Sequence, residues 1–180
     1  MFCEVNQAKL KAFSAAPKFK YGYEVSKNYN QALKIDKLNS NTKWQHATQL
    51  ELKVMDDYEV FIDNGFTIPE GYKCIPVNII FDVKHDGRHK TRLVAGGHLT
   101  DTPMESVYSG VVFLPGLRIF LLIAELNQLE VWAIDITSAY LEAYTNEKVC
   151  IKAGPVFGKC TGHVLLISKA LNGLKSSRAR

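Results

Sequence analysis

A single carboxylate at the end of a short apolar run is the group with the clearest potential for chemistry. Residues 129–144 read LEVWAIDITSAYLEAY, and the apolar run that begins at Val131 ends at Asp135. An apolar run of this length bounded by polar residues predicts a buried strand. Burying a carboxylate is costly unless the group is paired or binds a metal. Asp135 is therefore a candidate metal ligand, and the alternative is a strand-end residue that caps the following turn.

A second concentration of functional groups lies on a predicted β-hairpin at residues 74–99. β-branched and aromatic residues dominate its first half, and Asp86-Gly87 is a strong two-residue turn signal because glycine adopts positive φ without steric cost. Six basic or potentially basic side chains flank the turn: Lys84, His85, Arg88, His89, Lys90 and Arg92. Their charges predict either a solvated edge strand that is protected against pairing or a binding surface for a polyanion.

Apolar spacing predicts the helices that would position these groups. A helix from about Thr42 to Tyr58 repeats apolar residues every three or four positions, and Thr42 with Gln45 fits a capping box. A second helix from about Pro115 to Gln128 starts with a proline at its first position. We expect this helix to pack under the sheet that carries Asp135. Its expected core-facing stripe consists of Leu117, Phe120, Leu121 and Ala124.

The other predicted elements complete an α+β fold. We expect a short helix over residues 28–38, a strand ending at Asp135 and a helix or turn through Tyr140. Strands near residues 148–152 and 164–168 should pair as a hairpin, because glycine and proline punctuate the residues between them. Residues 9–27 show no sustained period and predict an arm or linker.

Length and composition agree with one intracellular globular unit. The chain has 180 residues, of which 47% are hydrophobic, enough for one sizeable core. No apolar run approaches the roughly 18 residues of a membrane span, and the first residues lack the apolar region of a signal peptide. Four scattered cysteines without a Cys-x-x-Cys pair argue against zinc and for reduced thiols, in the cytoplasm or nucleus. The net charge of +4 permits a polyanionic partner.

Five motifs in a fixed order resemble the reverse transcriptase of copia-type retrotransposons. The resemblance covers residues 28–180. It divides the chain into an arm or linker over residues 1–27 and a partial reverse transcriptase domain over residues 28–180, with the fingers and the first half of the palm. The motifs are RLVAGG at 92–97, MESVYSGVV at 104–112, DITSAYLEA at 135–143, EKVCIKAGPVFG at 147–158 and SKALNGLKSS at 168–177.

The resemblance implies an RNA-directed DNA polymerase that uses Mg²⁺, an RNA or DNA template-primer and deoxynucleoside triphosphates. Asp135 would be its first catalytic and metal-binding carboxylate. Cations at Lys90 and Arg92 would neutralise the triphosphate. Tyr140 would lie under the sugar of the incoming nucleotide, although its local pattern by itself favours a core aromatic residue. The implied nucleotide-binding residues are Lys90, Arg92, Ile136, Ala139, Tyr140, Asn172 and Gly173.

The chain departs from the family pattern in two places. Asn172 stands where the family has tyrosine, and the sequence contains no Y-x-D-D motif to supply two further carboxylates. Two-metal phosphoryl transfer needs such carboxylates, so we expect a fragment that is inactive alone. Two alternatives stay open. One is a nucleic-acid-binding remnant without chemistry, recognised by salt-sensitive binding that needs no metal. The other is an unrelated small α+β domain.

Overall fold

The computed structural model describes residues 17–100, 110 and 112–177, and it shows a mixed α+β fold, as predicted. Short 3₁₀ helices occur at Gly97–Leu99, Ala139–Glu142 and Pro155–Cys160. The α-helices are α1 Tyr29–Leu38, α2 Lys43–Asp57 and α3 Leu114–Leu126. The strands are β1 Lys18–Lys20, β2 Tyr23–Val25, β3 Phe61–Asp63, β4 Lys73–Cys74, β5 Val77–Val83, β6 His89–Ala95, β7 Val149–Lys152 and β8 Val164–Ile167.

The strands form three small sheets. Two are antiparallel pairs, β1 with β2 and β5 with β6. The third has the order β3-β8-β7-β4, in which β4 and β7 are parallel and the other neighbours are antiparallel. The predicted pairing of the two C-terminal strands is confirmed, with Ile151 opposite Leu165.

The predicted hairpin is confirmed, and its turn has three residues rather than two. β5 and β6 pair in register from Val77 opposite Ala95 to Val83 opposite His89. The Lys84 amide then donates to the Arg88 carbonyl oxygen at 2.9 Å, which leaves residues 85–87 as the loop. Gly87 takes a φ of 80°, the left-handed position that closes a three-residue hairpin loop.

Helix α2 packs across the hairpin through an aromatic cluster. The Trp44 ring is fully buried, with its centroid 5.4 Å from that of Phe81 and 4.2 Å from that of His89. The Thr91 hydroxyl donates to the Ala47 carbonyl oxygen at 2.8 Å and fixes the helix to β6. The short helix α1 lies beside α2, and Ala32 and Ile35 join the same buried cluster.

The predicted capping box at the start of α2 is wrong. Thr42 makes no side-chain hydrogen bond to the helix. Instead the buried carboxylate of Asp36, near the end of α1, accepts from the amides of Trp44 at 3.1 Å and Gln45 at 2.9 Å. A carboxylate interacts more strongly with the positive end of a helix than a hydroxyl does, so Asp36 caps α2 in place of Thr42.

A larger core joins the four-stranded sheet to the base of the hairpin and to the C-terminal segment. Met55 and Val60 enter it from the end of α2 and the following turn. Its other buried members come from the sheet, the hairpin and residues 141–174: Ile75, Leu93, Ala95, Leu141, Val149, Ile151, Ala153, Leu165, Ile167, Leu171 and Leu174.

Two predictions about the middle of the chain are wrong. Residues 129–136 form no strand and are all exposed, so Asp135 does not end a buried strand. Helix α3 has nearly the predicted bounds, but its expected core stripe is exposed except for Ala124. Among the described residues no strand pairs with residues 131–135 and no apolar face covers α3. Because residues 129–136 are exposed, their backbone and the Asp135 carboxylate stay hydrated, and no desolvation cost has to be offset by pairing or by a metal.

The hairpin of β1 and β2 is an element that the sequence did not predict. Val25 is buried in the cluster around Trp44 and Phe81, and the Lys20 ammonium lies 2.6 Å from the Asp82 carboxylate on β5. The boundary proposed at residue 27 stays a prediction. Among the described residues, no helix combines the length and apolar character needed to cross a bilayer.

Candidate functional site

Strand β6 presents its two basic residues to solvent. Lys90 and Arg92 are exposed, whereas Thr91 and Leu93 between and beside them are buried. This follows from the alternation of side chains along a strand, because one face of the hairpin packs on α2. His89 belongs to the inner face, and burial lowers the pKa of its imidazole. It therefore adds little positive charge to the outer face at neutral pH.

The other charged groups of the hairpin are partly engaged with one another. Asp82 lies directly across from Lys90, but its carboxylate accepts a hydrogen bond from Lys20, which lowers the pKa of Asp82. The Arg88 guanidinium lies 2.6 Å from the Asp86 carboxylate in the turn. The outward cations on the body of β6 are thus Lys90 and Arg92.

A carboxylate on α2 sits at the free edge of β6, next to this basic pair. Glu51 accepts a hydrogen bond from the Leu93 amide at 3.0 Å. Burial raises the pKa of Glu51, while the Leu93 hydrogen bond and the charges of Lys90 and Arg92 act in the opposite direction. Glu51 therefore accepts a hydrogen bond from the free edge of β6, and its negative charge lowers the positive potential of the outer face.

The C-terminal motif docks backbone to backbone on the end of β6. The Ala95 amide donates to the Asn172 carbonyl oxygen at 2.7 Å. Gly173 has a φ of 95°, and a Cβ there would lie 2.1 Å from the Ala95 carbonyl oxygen. A Cβ on Gly97 would lie 2.3 Å from the Gly173 carbonyl oxygen. Glycine is required at both positions because the two chain segments touch, and this brings Asn172 and Gly173 to the strand that carries Lys90 and Arg92.

A polar network around Glu147 joins two of the sequence motifs to each other and to Thr100, which follows the motif at 92–97. The Glu147 carboxylate accepts from the Ser176 hydroxyl at 2.6 Å, the Ser176 amide at 3.0 Å and the Thr100 hydroxyl at 3.2 Å. The Lys175 ammonium donates to the Thr100 carbonyl oxygen. Sequence reasoning missed Glu147, whose only signal is its place at the start of the EKVCIK motif.

Asp135 stands apart from these groups. It is exposed in the irregular segment after α3, and no described residue donates a hydrogen bond to it or forms an ion pair with it. Within the described ranges no three His, Cys, Asp or Glu side chains cluster as metal ligands would. Its oxygens are ligands that Mg²⁺ accepts, but without such a cluster the described residues do not fit a complete two-metal centre.

The three predicted nucleotide-binding residues that lie within five positions of Asp135 are at least partly accessible. Ile136 and Ala139 are exposed, and Tyr140 is 40% exposed in the 3₁₀ helix Ala139–Glu142. Leu141, not Tyr140, fills the core from this turn. The turn is tied to the C-terminal motif, because the Ala170 amide donates to the Ala143 carbonyl oxygen at 2.9 Å.

A cleft of about 580 Å³ opens along β5, and no sequence pattern pointed to it. The start of α1 forms one wall through Asn28 and Tyr29. The end of β7, with Lys152, and the following 3₁₀ helix, with Phe157, form the other wall. The exposed side chain of Ile80, which lies across from Arg92 in the hairpin register, borders the cleft. The cleft therefore adjoins the basic hairpin.

Comparison with known families decides what kind of domain this is. A family described as reverse transcriptase (RNA-dependent DNA polymerase) matches residues 60–179. The chain belongs to this family. The matched range of the reverse transcriptase domain contains the basic hairpin, the Asp135 segment and the docked C-terminal motif. The resemblance predicted from the five motifs is thus confirmed.

Curated relatives place the reverse transcriptase domain among retrotransposon polyproteins. The chain is 30% identical over 159 residues to the Transposon Ty1-BL and Ty1-H Gag-Pol polyproteins of Saccharomyces cerevisiae. Each alignment covers 87% of this chain and 9% of the relative, so the chain spans about a tenth of the length of the polyproteins it matches. No solved structure matches the reverse transcriptase domain.

Proposed function

We propose that this chain supplies the nucleotide-facing part of a retrotransposon RNA-directed DNA polymerase, comprising the fingers and the first half of the palm. The observation that carries the proposal is the outward pair Lys90 and Arg92 on a strand whose end is fixed to Asn172 and Gly173. Membership of the reverse transcriptase family supports the same assignment. The partners would be an RNA or DNA template-primer and deoxynucleoside triphosphates, inside the cell in the cytoplasm or nucleus.

The residues of the chain would act by position and charge. Two cations on a rigid hairpin face attract a triphosphate and stabilise negative charge that develops on its leaving group. Arg92 can bind two phosphate oxygens at once, whereas Lys90 acts as a point charge. Ile136, Ala139 and Tyr140 would contact the sugar and base of the same nucleotide. A ring at Tyr140 would exclude a 2′-hydroxyl by steric conflict.

Catalysis needs more carboxylates than the described residues bring together. In the proposal Asp135 is the first of the metal-binding carboxylates, and Mg²⁺ would supply charge stabilisation for phosphoryl transfer when bound. One exposed carboxylate holds Mg²⁺ weakly, since such sites rely on one or two carboxylates plus substrate phosphates. We therefore assign to residues 1–180 the binding and orientation of the nucleotide, not turnover.

Primer extension tests the assignment of Asp135. A polypeptide of residues 1–180 should extend no primer on an RNA or DNA template with Mg²⁺ or Mn²⁺. A longer polypeptide that adds a segment with paired aspartates should extend it, and Asp135→Asn should abolish that activity. Asp57→Asn, which removes an exposed carboxylate at the end of α2, should retain it. Synthesis by residues 1–180 that survives Asp135→Asn would show that the active site lies elsewhere.

Salt-dependent binding tests the basic hairpin. Anisotropy of a labelled template-primer should show an affinity for residues 1–180 that falls as salt rises. Lys90→Ala with Arg92→Ala should reduce the slope of log affinity against log salt by about two units at most, one for each phosphate that the variant no longer neutralises. Lys34→Ala with Lys37→Ala removes the same charge from exposed positions on α1 and should leave the slope nearly unchanged. Equal slopes for both double variants would assign the hairpin charges to solvated surface.

A binding module without chemistry is the second candidate function. The absence of a cluster of three potential metal ligands among the described residues favours it. Its signature is template-primer binding that needs no Mg²⁺ and is unchanged by Asp135→Asn, together with a longer polypeptide that extends no primer.

A further inference from the structure

Two cysteines that are far apart in sequence occupy directly paired positions on neighbouring strands. Cys74 on β4 lies opposite Cys150 on β7 in the one parallel pair of the described sheets. The pairing is held by the Lys73 amide, which donates to Lys148 at 3.0 Å, and by the Ile75 amide, which donates to Cys150 at 2.8 Å. Neighbouring strands lie about 4.7–4.9 Å apart. That spacing falls within the roughly 4.4–6.8 Å between the Cα atoms of disulfide-bonded cysteines.

The two paired cysteines differ in accessibility. Cys74 is exposed and Cys150 is buried. Burial, together with the neighbouring Cys74, raises the pKa of Cys150 to about 11. Cys160 provides an internal contrast, because it lies in the 3₁₀ helix Pro155–Cys160 between β7 and β8, outside the paired strands.

We propose that Cys74 and Cys150 form a reversible thiol–disulfide site that is oxidised by low-molecular-weight disulfides such as oxidised glutathione. The exposed Cys74 reacts first. Its thiolate attacks one sulfur of the reagent, the reagent's S–S bond breaks, and one glutathione thiolate leaves. The product is a mixed disulfide between Cys74 and glutathione.

The buried cysteine completes the exchange. The Cys150 thiolate attacks the Cys74 sulfur of the mixed disulfide, and the second glutathione thiolate leaves. Each cysteine has lost one proton, and two electrons have passed from the pair to the reagent, which becomes two molecules of glutathione. Because the high pKa of Cys150 keeps it as the thiol, this second step should accelerate about tenfold for each pH unit between neutrality and pH 10.

The bridge would act on the connection between the sheet and the basic hairpin. β4 is a two-residue strand, and β5 begins three residues after Cys74. A covalent link to β7 closes a loop that contains the whole of β5 and β6, which restricts the unfolded chain and resists separation of the edge strand. Oxidation should therefore raise the melting temperature, and reduction should reverse the change.

Mass spectrometry of the native protein tests the proposal. After incubation with oxidised glutathione, residues 1–180 should lose two hydrogens, carry no adduct at these positions and yield a peptide that links Cys74 to Cys150. Cys150→Ser should stop at a stable glutathione adduct on Cys74. Cys74→Ser should leave Cys150 unreacted, and Cys160→Ser should behave like the parent chain.

Three results would overturn the proposal. They are a stable adduct on Cys74 of the parent chain at pH 9, a link from Cys74 to Cys160, and a parent chain in which Cys74 and Cys150 both remain thiols. Cys150→Ala, which buries no hydroxyl, replaces Cys150→Ser if circular dichroism shows that the serine variant is unfolded. The assay measures neither nucleic-acid binding nor synthesis, so its outcome is independent of the function proposed above.

Discussion

Two apolar regions of similar composition differ in burial: one forms part of the core and the other is exposed. Residues 149–174 bury their aliphatic side chains, with Ile151 1% and Leu171 0% exposed. Residues 114–136 are at least as apolar, yet Trp132 is 80% and Ile134 is 87% exposed. The difference shows that apolar composition alone does not produce a core. A second apolar surface must lie within reach.

The availability of partners explains the contrast. Strand β7 has a neighbour on each side, β4 and β8, and its side chains meet those of β6 and the C-terminal segment in the larger core. Residues 131–135 have no neighbouring strand among the described residues, and α3 buries only Ala124. An exposed apolar surface of this size is characteristic of a region that another surface covers.

Matched leucine truncations give the largest expected difference between the two regions. Leu171→Ala should lower the free energy of unfolding by about 2–5 kcal/mol, because it removes buried contacts and leaves a cavity. Leu122→Ala on α3 should change it by less than about 0.5 kcal/mol, since that side chain is 58% exposed. Urea denaturation followed by circular dichroism measures both. Equal losses would mean that α3 is packed in solution.

Matched glycine substitutions test the backbone contact that organises the buried region. Gly173→Ala should destabilise the protein by roughly 2–4 kcal/mol, because the residue has positive φ and the new Cβ would overlap Ala95. Gly154→Ala is the control, since nothing lies within 4 Å of its Cβ position and its φ is −84°. Thermal unfolding of the two variants is the measurement. A tolerated Gly173→Ala would mean that the C-terminal motif does not dock on β6.

The smallest expected effect concerns acid stability at the hairpin. Hydrogen bonding to Lys20 lowers the pKa of Asp82 below its unfolded value. The stabilisation is therefore complete above the unfolded pKa, near 3.8, and is lost as pH falls through the lower folded value. Asp82→Asn should reduce stability at pH 7 by less than about 1 kcal/mol, because the pair is part-exposed, and this effect should shrink as pH falls through the lowered pKa of Asp82. Unfolding measured across this range for Asp82→Asn and Asp57→Asn separates the pair from general charge effects.

Local pattern was sufficient for elements whose residues interact with near neighbours in sequence. The bounds of α1, α2 and α3, the hairpin at Asp86-Gly87 and the pairing of β7 with β8 were all predicted, because periodicity and turn chemistry act over a few residues. The order of the five motifs was likewise enough to predict the family, which was confirmed. The roles of the predicted site residues stay predictions.

Tertiary contact decided the features that join distant parts of the chain. Asp36 replaced Thr42 as the cap of α2, Gly173 met Ala95, and Cys74 came to lie beside Cys150. The apolar pattern around Asp135 predicted a buried strand, but that pattern is the same whether or not a partner strand is available. Among the described residues no strand pairs with residues 131–135. Periodicity along a sequence states which face is apolar, whereas burial depends on what packs against that face, and only the assembled fold determines this.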